Sequence, residues 1–443
     1  MEDAFIIRGG NQLRGEITLS GAKNIALKVI IASLLFDQEV ILKNIPKILD
    51  VLELLNLIEH LGGKWHFDDQ DSLHLDGRSM NLNKVDFLKA SKIRVSFMLF
   101  APLLHRLKEA YVPNPGGCRI GARPIDRIIE GMIKLGVNVK YNSETGYYLA
   151  TVSNQPHGGL YRFQKPSHTG TELLILIGVF SKNPTIIENA AMEPEIDELM
   201  NFLNSCGGKI KRSGTKIEIV PSPNLNQTSP FVISCDRNEA ATFATLAVAT
   251  KGSITVHGVS KELLTAFLAN LEKVGAGIDY LSQKSIRFYY KKTLAPISIE
   301  TSPHPGFMTD WQPNWAILMT QAAGVSTITE RVFENRFSYV EELKKLGAEI
   351  DFIKIPSINP TEYFFFNFDP AKKYNQSIRI KGPQSLHNAV LTIHDLRAGA
   401  ALVEAALIAS GESVIIGASI IERGYEHFIE KIRSVGGYIS KYE

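Results

Sequence analysis

One pattern of apolar and polar positions recurs six times along the 443 residues. In each copy, apolar residues at helical spacing end in an apolar residue or cysteine followed by glycine, and a strand-like run comes next. The six pairs are Leu61-Gly62, Leu135-Gly136, Cys206-Gly207, Val274-Gly275, Leu346-Gly347 and Val435-Gly436. Successive glycines are 68 to 89 residues apart. The pattern predicts six repeats of about seventy residues, each with an amphipathic helix ended by a left-handed glycine.

Each repeat also contains an earlier stretch that is apolar on nearly every side and rich in small residues. These stretches are Ile25 to Phe36, Val95 to Leu104, Leu173 to Phe180, Ala240 to Thr250, Trp315 to Gly324 and Ala398 to Ser410. A helix that is apolar all round is buried. The pattern therefore predicts two three-repeat domains of α/β class, with sheets outside and buried helices inside.

The polar stretch Pro221 to Pro230 lies between the third and fourth repeats and is predicted to be the crossing between domains. The first domain is predicted to span 22–230, and the second to span 1–21 together with 231–443. The early strand at Phe5 to Arg8 has no partner in the first repeat and can complete the second domain.

Charge and cysteine content narrow the classes of function. The chain has 48 Lys+Arg and 46 Asp+Glu, a formal charge of +2, so no broad basic face for nucleic acid or an anionic membrane is expected. The start Met1-Glu2-Asp3 lacks the positive charge of a signal peptide, and no apolar run is long enough to span a membrane, which predicts a cytoplasmic protein. Three separated cysteines without a CxxC pair argue against a disulfide framework and a zinc site.

Polar groups stand at the start of every buried stretch. They are Lys23-Asn24, Lys92 with Arg94, His168 with Thr171, Asp236-Arg237, Asp310, and Asp395 with Arg397. Helix N-termini bind anions, whereas Lys or Arg at that end opposes the helix dipole. Any one of these groups taken alone reads as an ordinary cap or surface charge. Six together indicate a binding site for a multiply charged anion.

The segment Pro115 to Pro124 places Cys118 on a glycine-rich loop beside Arg119 and Arg123. Nearby guanidinium groups stabilise a thiolate, and glycines let the backbone approach an anion. This context favours a reactive cysteine over a small buried one.

PGGCRIGARPID at Pro115 to Asp126 resembles the catalytic loop of the UDP-N-acetylglucosamine 1-carboxyvinyltransferases, members of the enolpyruvyl transferase family. Seven further groups of residues carry the resemblance along nearly the whole chain. They are SGAKN (20–24) with KIR (92–94), IIENAAMEPEI (186–196), SCDR (234–237), PGFMTDWQ (305–312), TERVFENRF (329–337), DLRAGAALV (395–403) and IERGYEHFIEKIRSVGG (421–437). The resemblance implies the enolpyruvyl transferase fold, a two-domain inside-out α/β barrel with six repeats, three per domain.

The resemblance also implies a reaction. The 3-hydroxyl of UDP-GlcNAc adds to C2 of phosphoenolpyruvate and phosphate leaves, without a redox or metal cofactor, in the first committed step of peptidoglycan synthesis. Cys118 matches the acid that protonates C3, and in the family it can also form a phospholactoyl adduct. A general acid must be protonated before it donates, whereas the neighbouring arginines favour the thiolate form of Cys118. A pKa of Cys118 near the working pH permits both states. Asp310 matches the aspartate near the acceptor hydroxyl and is the candidate base, and its position also suits a helix N-cap.

Further roles follow from the same residue-by-residue match. The phosphoenolpyruvate clamp is Lys23, Asn24, Arg123, Arg336 and Arg397, and Arg397 is also counted as catalytic. The UDP-GlcNAc positions are Arg94, Arg123, Pro124, Ile125, Asp126, Arg127, Lys165, Pro166, Ser167, His168, Asp310 and Val332. Bidentate Arg suits carboxylate and phosphate geometry. The expected partners are these two small molecules, and the chain is expected to be a monomer or weak homo-oligomer.

Departures from the family pattern gather on the nucleotide side. Arg127 and His168 stand where apolar residues are usual, and Met98 replaces a tryptophan. Two alternatives therefore stay open: a paralogue that transfers enolpyruvate to another nucleotide sugar, and a catalytically silent homologue that binds metabolites. A shikimate-pathway synthase is disfavoured because that relative lacks the cysteine loop.

Overall fold

The computed structural model describes residues 3–116, 125–355 and 359–442. Its described residues divide into two compact units. The N-terminal unit contains residues 21–116 and 125–234, and the C-terminal unit contains 3–20 and 235–442. The chain thus passes between units after Ser20 and after Ser234, the second point lying beyond the polar stretch that ends at Pro230.

Helices and strands alternate throughout both units. Residues 3–116 contain β1 (Ala4–Arg8), β2 (Arg14–Thr18), α1 (Lys23–Ser33), β3 (Val40–Lys43), α2 (Leu49–His60), β4 (Lys64–Phe67), β5 (Leu73–Asp76), α3 (Phe87–Lys92), a 3-10 helix (Arg94–Leu99), α4 (Phe100–Leu107) and β6 (Glu109–Pro113). Residues 125–234 contain α5 (Asp126–Lys134), β7 (Asn138–Asn142), β8 (Tyr147–Thr151), β9 (Gly159–Arg162), α6 (His168–Val179), β10 (Thr185–Glu188), α7 (Pro194–Ser205), β11 (Lys209–Ser213), β12 (Lys216–Val220) and β13 (Phe231–Val232).

The remaining elements complete the C-terminal unit. Residues 235–442 contain α8 (Arg237–Ala249), β14 (Ser253–His257), a 3-10 helix (Lys261–Leu264), α9 (Thr265–Val274), β15 (Gly277–Ser282), β16 (Ser285–Tyr289), β17 (Ile299–Glu300), α10 (Gln312–Thr320), β18 (Gly324–Thr329), α11 (Tyr339–Lys345), β19 (Ile350–Phe352), α12 (Pro360–Tyr363), β20 (Ser377–Gly382), β21 (Val390–Thr392), α13 (Leu396–Ile408), β22 (Glu412–Ile416), α14 (Ser419–Glu422), α15 (Phe428–Ser434) and β23 (Tyr438–Tyr442).

In the described part of the chain the strands form six small sheets, three in each unit. Five have four strands in one common arrangement, a parallel pair followed by two antiparallel neighbours, as in β9-β10-β12-β11. The sixth, β6-β8-β7, has three strands, and Lys84 forms an isolated parallel bridge to Tyr111 where the other sheets have their parallel edge strand. The repeated order confirms the predicted six repeats.

Three strands pair with strands that are distant from them in the sequence. β2 precedes α1 but pairs with β14, and β13 precedes α8 but pairs with β3. β1 lies between β22 and β23 in the last sheet. The first and last repeats of the C-terminal unit therefore depend on N-terminal strands.

The buried helices form the centre of each unit. α8, α10 and α13 pack against one another in the C-terminal unit, and every residue of α8 is buried. In the N-terminal unit α4 packs against α6, and the 3-10 helix before α4 packs against α1. The predicted helix from Trp315 to Gly324 is too long, because α10 ends at Thr320 and Gly324 begins β18.

The six marker glycines behave as predicted. Their φ angles lie between +89° and +97°, a left-handed conformation that glycine adopts without a Cβ clash. They end α2, α5, α7, α9, α11 and α15 and turn the chain into the next strand.

Candidate active site

The start of α13 is the first part of a charged cluster in the C-terminal unit. Asp395 caps this helix, because its Oδ1 accepts hydrogen bonds from the backbone N–H groups of Arg397 and Ala398, both at 3.0 Å. Asp236 caps α8 in the same way, through Asn238 N–H at 2.7 Å. These caps fix the first turns of two buried helices. The Arg397 side chain leaves one of those turns.

Asp310 lies between two buried guanidinium groups. Its Oδ1 accepts a hydrogen bond from Arg336 Nη2 at 2.7 Å, and its Oδ2 is 3.7 Å from Arg397 Nε. The Arg336 and Arg397 side chains are 3% and 6% exposed, whereas the Asp310 side chain is 21% exposed. Asp310 does not take the N-cap role that its position also suits, since the capping position of α10 is Trp311 and no side chain of the described residues caps that helix. Its carboxylate pairs with arginine instead, because Arg336 is within reach and buried.

Thr309 and Glu330 hold Arg336 from its other side. Arg336 Nη1 donates to Thr309 Oγ1 at 2.6 Å, and Thr309 Oγ1 donates to Glu330 Oε2 at 2.7 Å. Glu330 Oε1 also accepts from the backbone N–H of Val332 at 2.7 Å and of Phe333 at 3.0 Å. Glu330 thus organises the loop that carries both Val332 and Arg336.

The two arginines have capacity left for an anion. Burial lowers the pKa of Arg336, but the carboxylates led by Asp310 outweigh burial and the pKa is raised. Arg397 likewise has a raised pKa, since Tyr425, Asp236 and Asp310 outweigh the effect of burial. Arg336 Nε and Arg397 Nη1 are buried and have no hydrogen-bond partner among the described residues. Buried donors of this kind are costly unless a ligand satisfies them.

Lys23 begins α1 in the N-terminal unit and has a carboxylate partner that sequence reasoning missed. Lys23 Nζ is 2.7 Å from Asp50 Oδ2, and both side chains are at most 10% exposed. Asp50 lies in the first turn of α2, where a negative charge is favourable. Asn24, next to Lys23, is half-buried. The pairing fixes the amine of Lys23 without removing its charge.

His168 and Glu172 form a second charged group at the start of α6. Ser167 caps this helix by accepting a hydrogen bond from Gly170 N–H at 3.3 Å. His168 Nε2 is 3.2 Å from Glu172 Oε1, and Lys28 Nζ is 3.4 Å from Glu172 Oε2. The distances are those of ion pairs, although the angles are not those of hydrogen bonds. Burial lowers the pKa of His168, but Glu172 outweighs it and the pKa is raised.

Other predicted acceptor residues lie near the start of α5. Ile125 is buried, whereas Asp126 is exposed. Burial and the neighbouring Arg127 charge lower the pKa of Lys165, which places two cations close together. Lys165, Pro166 and the 3-10 helix residue Arg94 are half-exposed. Clustered cations of this kind favour a bound anion.

The structure therefore places the predicted residues in two groups. Asp310, Val332, Arg336 and Arg397 come together in the C-terminal unit, while Lys23, Asn24, Arg94, Ile125, Asp126, Arg127, Lys165, Pro166, Ser167 and His168 lie in the N-terminal unit. Cys118, Arg123 and Pro124 lie outside the described residues. Sequence reasoning missed the roles of Asp50, Thr309, Glu330 and Tyr425, and only the TERVF motif hinted at Glu330.

The described ranges contain neither a cluster of metal ligands nor a helix that could span a membrane. Residues 3–116, 125–355 and 359–442 hold no group of three or more His, Cys, Asp or Glu side chains placed to bind a metal ion. In the same ranges no helix has the length and apolar character needed to cross a membrane.

Comparison with known proteins finds relatives over the whole chain. The family model described as EPSP synthase (3-phosphoshikimate 1-carboxyvinyltransferase) matches residues 7–432. UDP-N-acetylglucosamine 1-carboxyvinyltransferase 1 of Carboxydothermus hydrogenoformans is 37% identical over 445 residues, covering 100% of this chain and 98% of the relative. The enzyme named UDP-N-acetylglucosamine 1-carboxyvinyltransferase in Acidobacterium capsulatum is 36% identical, covering 99% of this chain and 96% of the relative.

Solved structures confirm the predicted fold. The enolpyruvyl transferase NikO from Streptomyces tendae has a TM-score of 0.85 at 20% identity, with 99% of each chain covered. EPSP synthase from Acinetobacter baumannii has a TM-score of 0.73 at 18% identity, with 100% of each chain covered. At identities this low, the structural similarity supports only the fold.

Proposed function

The chain belongs to the family of UDP-N-acetylglucosamine 1-carboxyvinyltransferases, and on that premise we propose that it transfers enolpyruvate from phosphoenolpyruvate to the 3-hydroxyl of UDP-GlcNAc. Phosphate is released, and the product enters peptidoglycan synthesis. The chain is thus a transferase. We further propose that it acts in the cytoplasm as a monomer or weak homo-oligomer on these two small molecules.

One observation carries the proposal: Arg336 and Arg397 flank Asp310, and each has a buried N–H group without a hydrogen-bond partner among residues 3–116, 125–355 and 359–442. Phosphoenolpyruvate carries a carboxylate and a phosphate, which are the two anions that guanidinium groups bind best. A bound anion would satisfy Arg336 Nε or Arg397 Nη1 and would compete with Asp310 for these cations. Asp310 would then have an oxygen available for the acceptor hydroxyl.

The proposed reaction has an addition step and an elimination step. The 3-hydroxyl oxygen bonds to C2 of phosphoenolpyruvate, Asp310 takes the hydroxyl proton, and the thiol of Cys118 gives a proton to C3. In the second step C3 loses a proton, the C2–C3 double bond forms again and the C2–O bond to phosphate breaks. Arg336 and Arg397 stabilise the negative charge on carboxylate and phosphate in both steps. The roles of Cys118 and Asp310 rest on the family motif.

A second candidate is the same transfer to a different nucleotide sugar. It is favoured by His168, which stands where the family usually has an apolar residue and forms an ion pair with Glu172. An extra charged group there can select a different acceptor, whereas the donor residues Lys23, Arg336 and Arg397 follow the family.

A phosphate-release assay separates the two candidates. The purified protein is given phosphoenolpyruvate with UDP-GlcNAc, and in parallel with UDP-glucose, UDP-GalNAc or no acceptor. Highest kcat/KM with UDP-GlcNAc supports the main proposal, and clear preference for another nucleotide sugar supports the second. Asp310→Asn serves as the matched variant that should lose turnover with every acceptor. No release with any acceptor would contradict both.

A further inference from the structure

The guanidinium of Arg397 is surrounded by groups that hold it loosely at its edges. Its Nε is 3.7 Å from Asp310 Oδ2, and its Nη2 is 3.9 Å from Asp236 Oδ2. Both distances exceed those of charge-assisted hydrogen bonds, which are about 2.7 to 2.9 Å. The two carboxylates therefore attract Arg397 without fixing the plane of its guanidinium.

The guanidinium of Arg397 lies over the ring of Tyr425. The centroid of this ring is 5.2 Å from Arg397 Cζ, within the range of a cation–π contact. Tyr425 is itself buried, with 3% of its surface exposed, and its ring packs against Phe428 at a centroid distance of 5.0 Å. A buried ring in contact with the Arg397 guanidinium restricts its movement more than two carboxylates beyond hydrogen-bond distance do.

Thr242 holds the hydroxyl of Tyr425. The two hydroxyl oxygens are 2.8 Å apart, and Thr242 Oγ1 lies 3.1 Å from the carbonyl oxygen of Asn238, to which it donates. Since threonine has one hydroxyl proton, this geometry makes Tyr425 the donor to Thr242. The lone pairs of the Tyr425 oxygen then remain for the positive charge of Arg397.

The electrostatics agree with this arrangement. Burial raises the pKa of Tyr425, so the phenol stays protonated and can donate to Thr242 at neutral pH. Arg397 Nη1 is buried without a hydrogen-bond partner in the described ranges, so one edge of the held guanidinium is left for a ligand.

We propose that Tyr425, anchored by Thr242, is a positioning residue that orients Arg397 for the carboxylate or phosphate of phosphoenolpyruvate. The inference rests on the proposed function, since it needs a bound anionic donor. It adds a residue from the IERGYEHF segment that the sequence assigned to no role.

The test compares Tyr425→Leu with Tyr425→Phe and with Phe428→Leu. Phe428→Leu is the matched control, because it removes a ring from the same cluster that is next to Tyr425 rather than over Arg397. Tyr425→Leu should lower kcat/KM for phosphoenolpyruvate about ten- to thirtyfold, the effect of losing a desolvated cation–π contact. KM for UDP-GlcNAc should stay unchanged. Tyr425→Phe keeps the ring but loses the hydroxyl that Thr242 holds. Tyr425→Phe and Thr242→Val should therefore each give a smaller loss of the same kind.

Two outcomes would overturn the inference. One is that Tyr425→Leu and Phe428→Leu lower kcat/KM for phosphoenolpyruvate equally, which would indicate a packing role alone. The other is that Tyr425→Leu changes KM for the sugar nucleotide instead of that for phosphoenolpyruvate.

If wild type shows no turnover, the proposed function fails and the inference is judged separately by calorimetry with phosphoenolpyruvate alone and with inorganic phosphate alone. Weaker binding by Tyr425→Leu than by Phe428→Leu then supports the positioning role, and equal or absent binding overturns it.

Discussion

Glu404 allows a quantitative prediction about pH and stability. It lies on α13 in the helical core of the C-terminal unit and is 1% exposed. Its Oε2 accepts hydrogen bonds from Asn314 Nδ2 at 2.8 Å and Thr245 Oγ1 at 3.0 Å, while Oε1 has no hydrogen-bond partner in the described part of the chain. Burial raises the pKa of Glu404 from 4.5 to about 8 against the opposing effect of these two donors. The carboxyl group is therefore mainly neutral in the folded protein at pH 7.

The sign follows from proton linkage. A carboxyl whose folded pKa is raised binds its proton more tightly in the folded state, so its stabilising effect is full below pH 4.5 and is lost as the pH rises to 8. At 1.36 kcal/mol per pH unit, the wild type should lose about 3 kcal/mol of unfolding free energy between pH 5 and pH 8 that Glu404→Gln does not lose. For a unit of this size the difference corresponds to roughly 6 to 12 °C in Tm.

Thermal unfolding from pH 5 to pH 8.5 measures this difference. Glu404→Gln keeps a neutral amide in the core, so its Tm should be close to wild type at pH 5 and higher at pH 8. Glu349→Gln is the control, since the Glu349 side chain is 64% exposed and its replacement should leave the pH dependence as in wild type. Parallel curves for wild type and Glu404→Gln would refute the reasoning.

Three further predictions concern activity. Arg397→Ala should cost several kcal/mol of transition-state stabilisation with any acceptor, measured as kcat/KM, because it removes a buried cation from the phosphoenolpyruvate anion. A loss of kcat/KM confined to one acceptor would argue against this role. Arg127→Leu and His168→Val should change KM for the sugar nucleotide and not KM for phosphoenolpyruvate. If these variants improve KM for UDP-GlcNAc tenfold, about 1.4 kcal/mol, the natural acceptor is a different nucleotide sugar. Cys118→Ser should abolish turnover, while Cys118→Asp should retain some because a carboxylic acid can still donate the proton. The epoxide fosfomycin, which attacks the matching cysteine across the resembled family, should be found by mass spectrometry on Cys118 and not on Cys206, which is buried and has a pKa raised by burial. Equal activity of Cys118→Ser and wild type would remove the thiol from the mechanism.

Local pattern was enough to predict the repeat. Apolar spacing at 3.6 residues, a following glycine and a strand-like run are properties of neighbouring residues, so all six glycine-ended helices were predicted and found. The buried helices were predicted for the same reason, since a stretch without a polar face has no side to present to water. The predicted end of α10 was wrong, because Ala322 and Ala323 are apolar but lie outside the helix.

The motifs predicted which residues belong to the candidate site without predicting their contacts. Asp310 was predicted to be the candidate base, at a position that also suits a helix N-cap, but its pairing with Arg336, 26 residues further along the chain, was not predicted. Tyr425 and Thr242 are 183 residues apart, and Thr245 and Glu404 are 159 apart. No periodicity in the sequence relates positions so far apart.

Helices and strands could be predicted from the chain, because helix and strand preferences depend on residues within a few positions of each other. Tertiary contacts set which strand completes which sheet, as with β1 between β22 and β23 and the exchange of β2 and β13. They also set which charges become partners, because pairing depends on burial and on distances between separate helices. Arginine side chains are usually exposed, but packing buries Arg336 and Arg397 beside Asp310, and this burial makes them part of the candidate site.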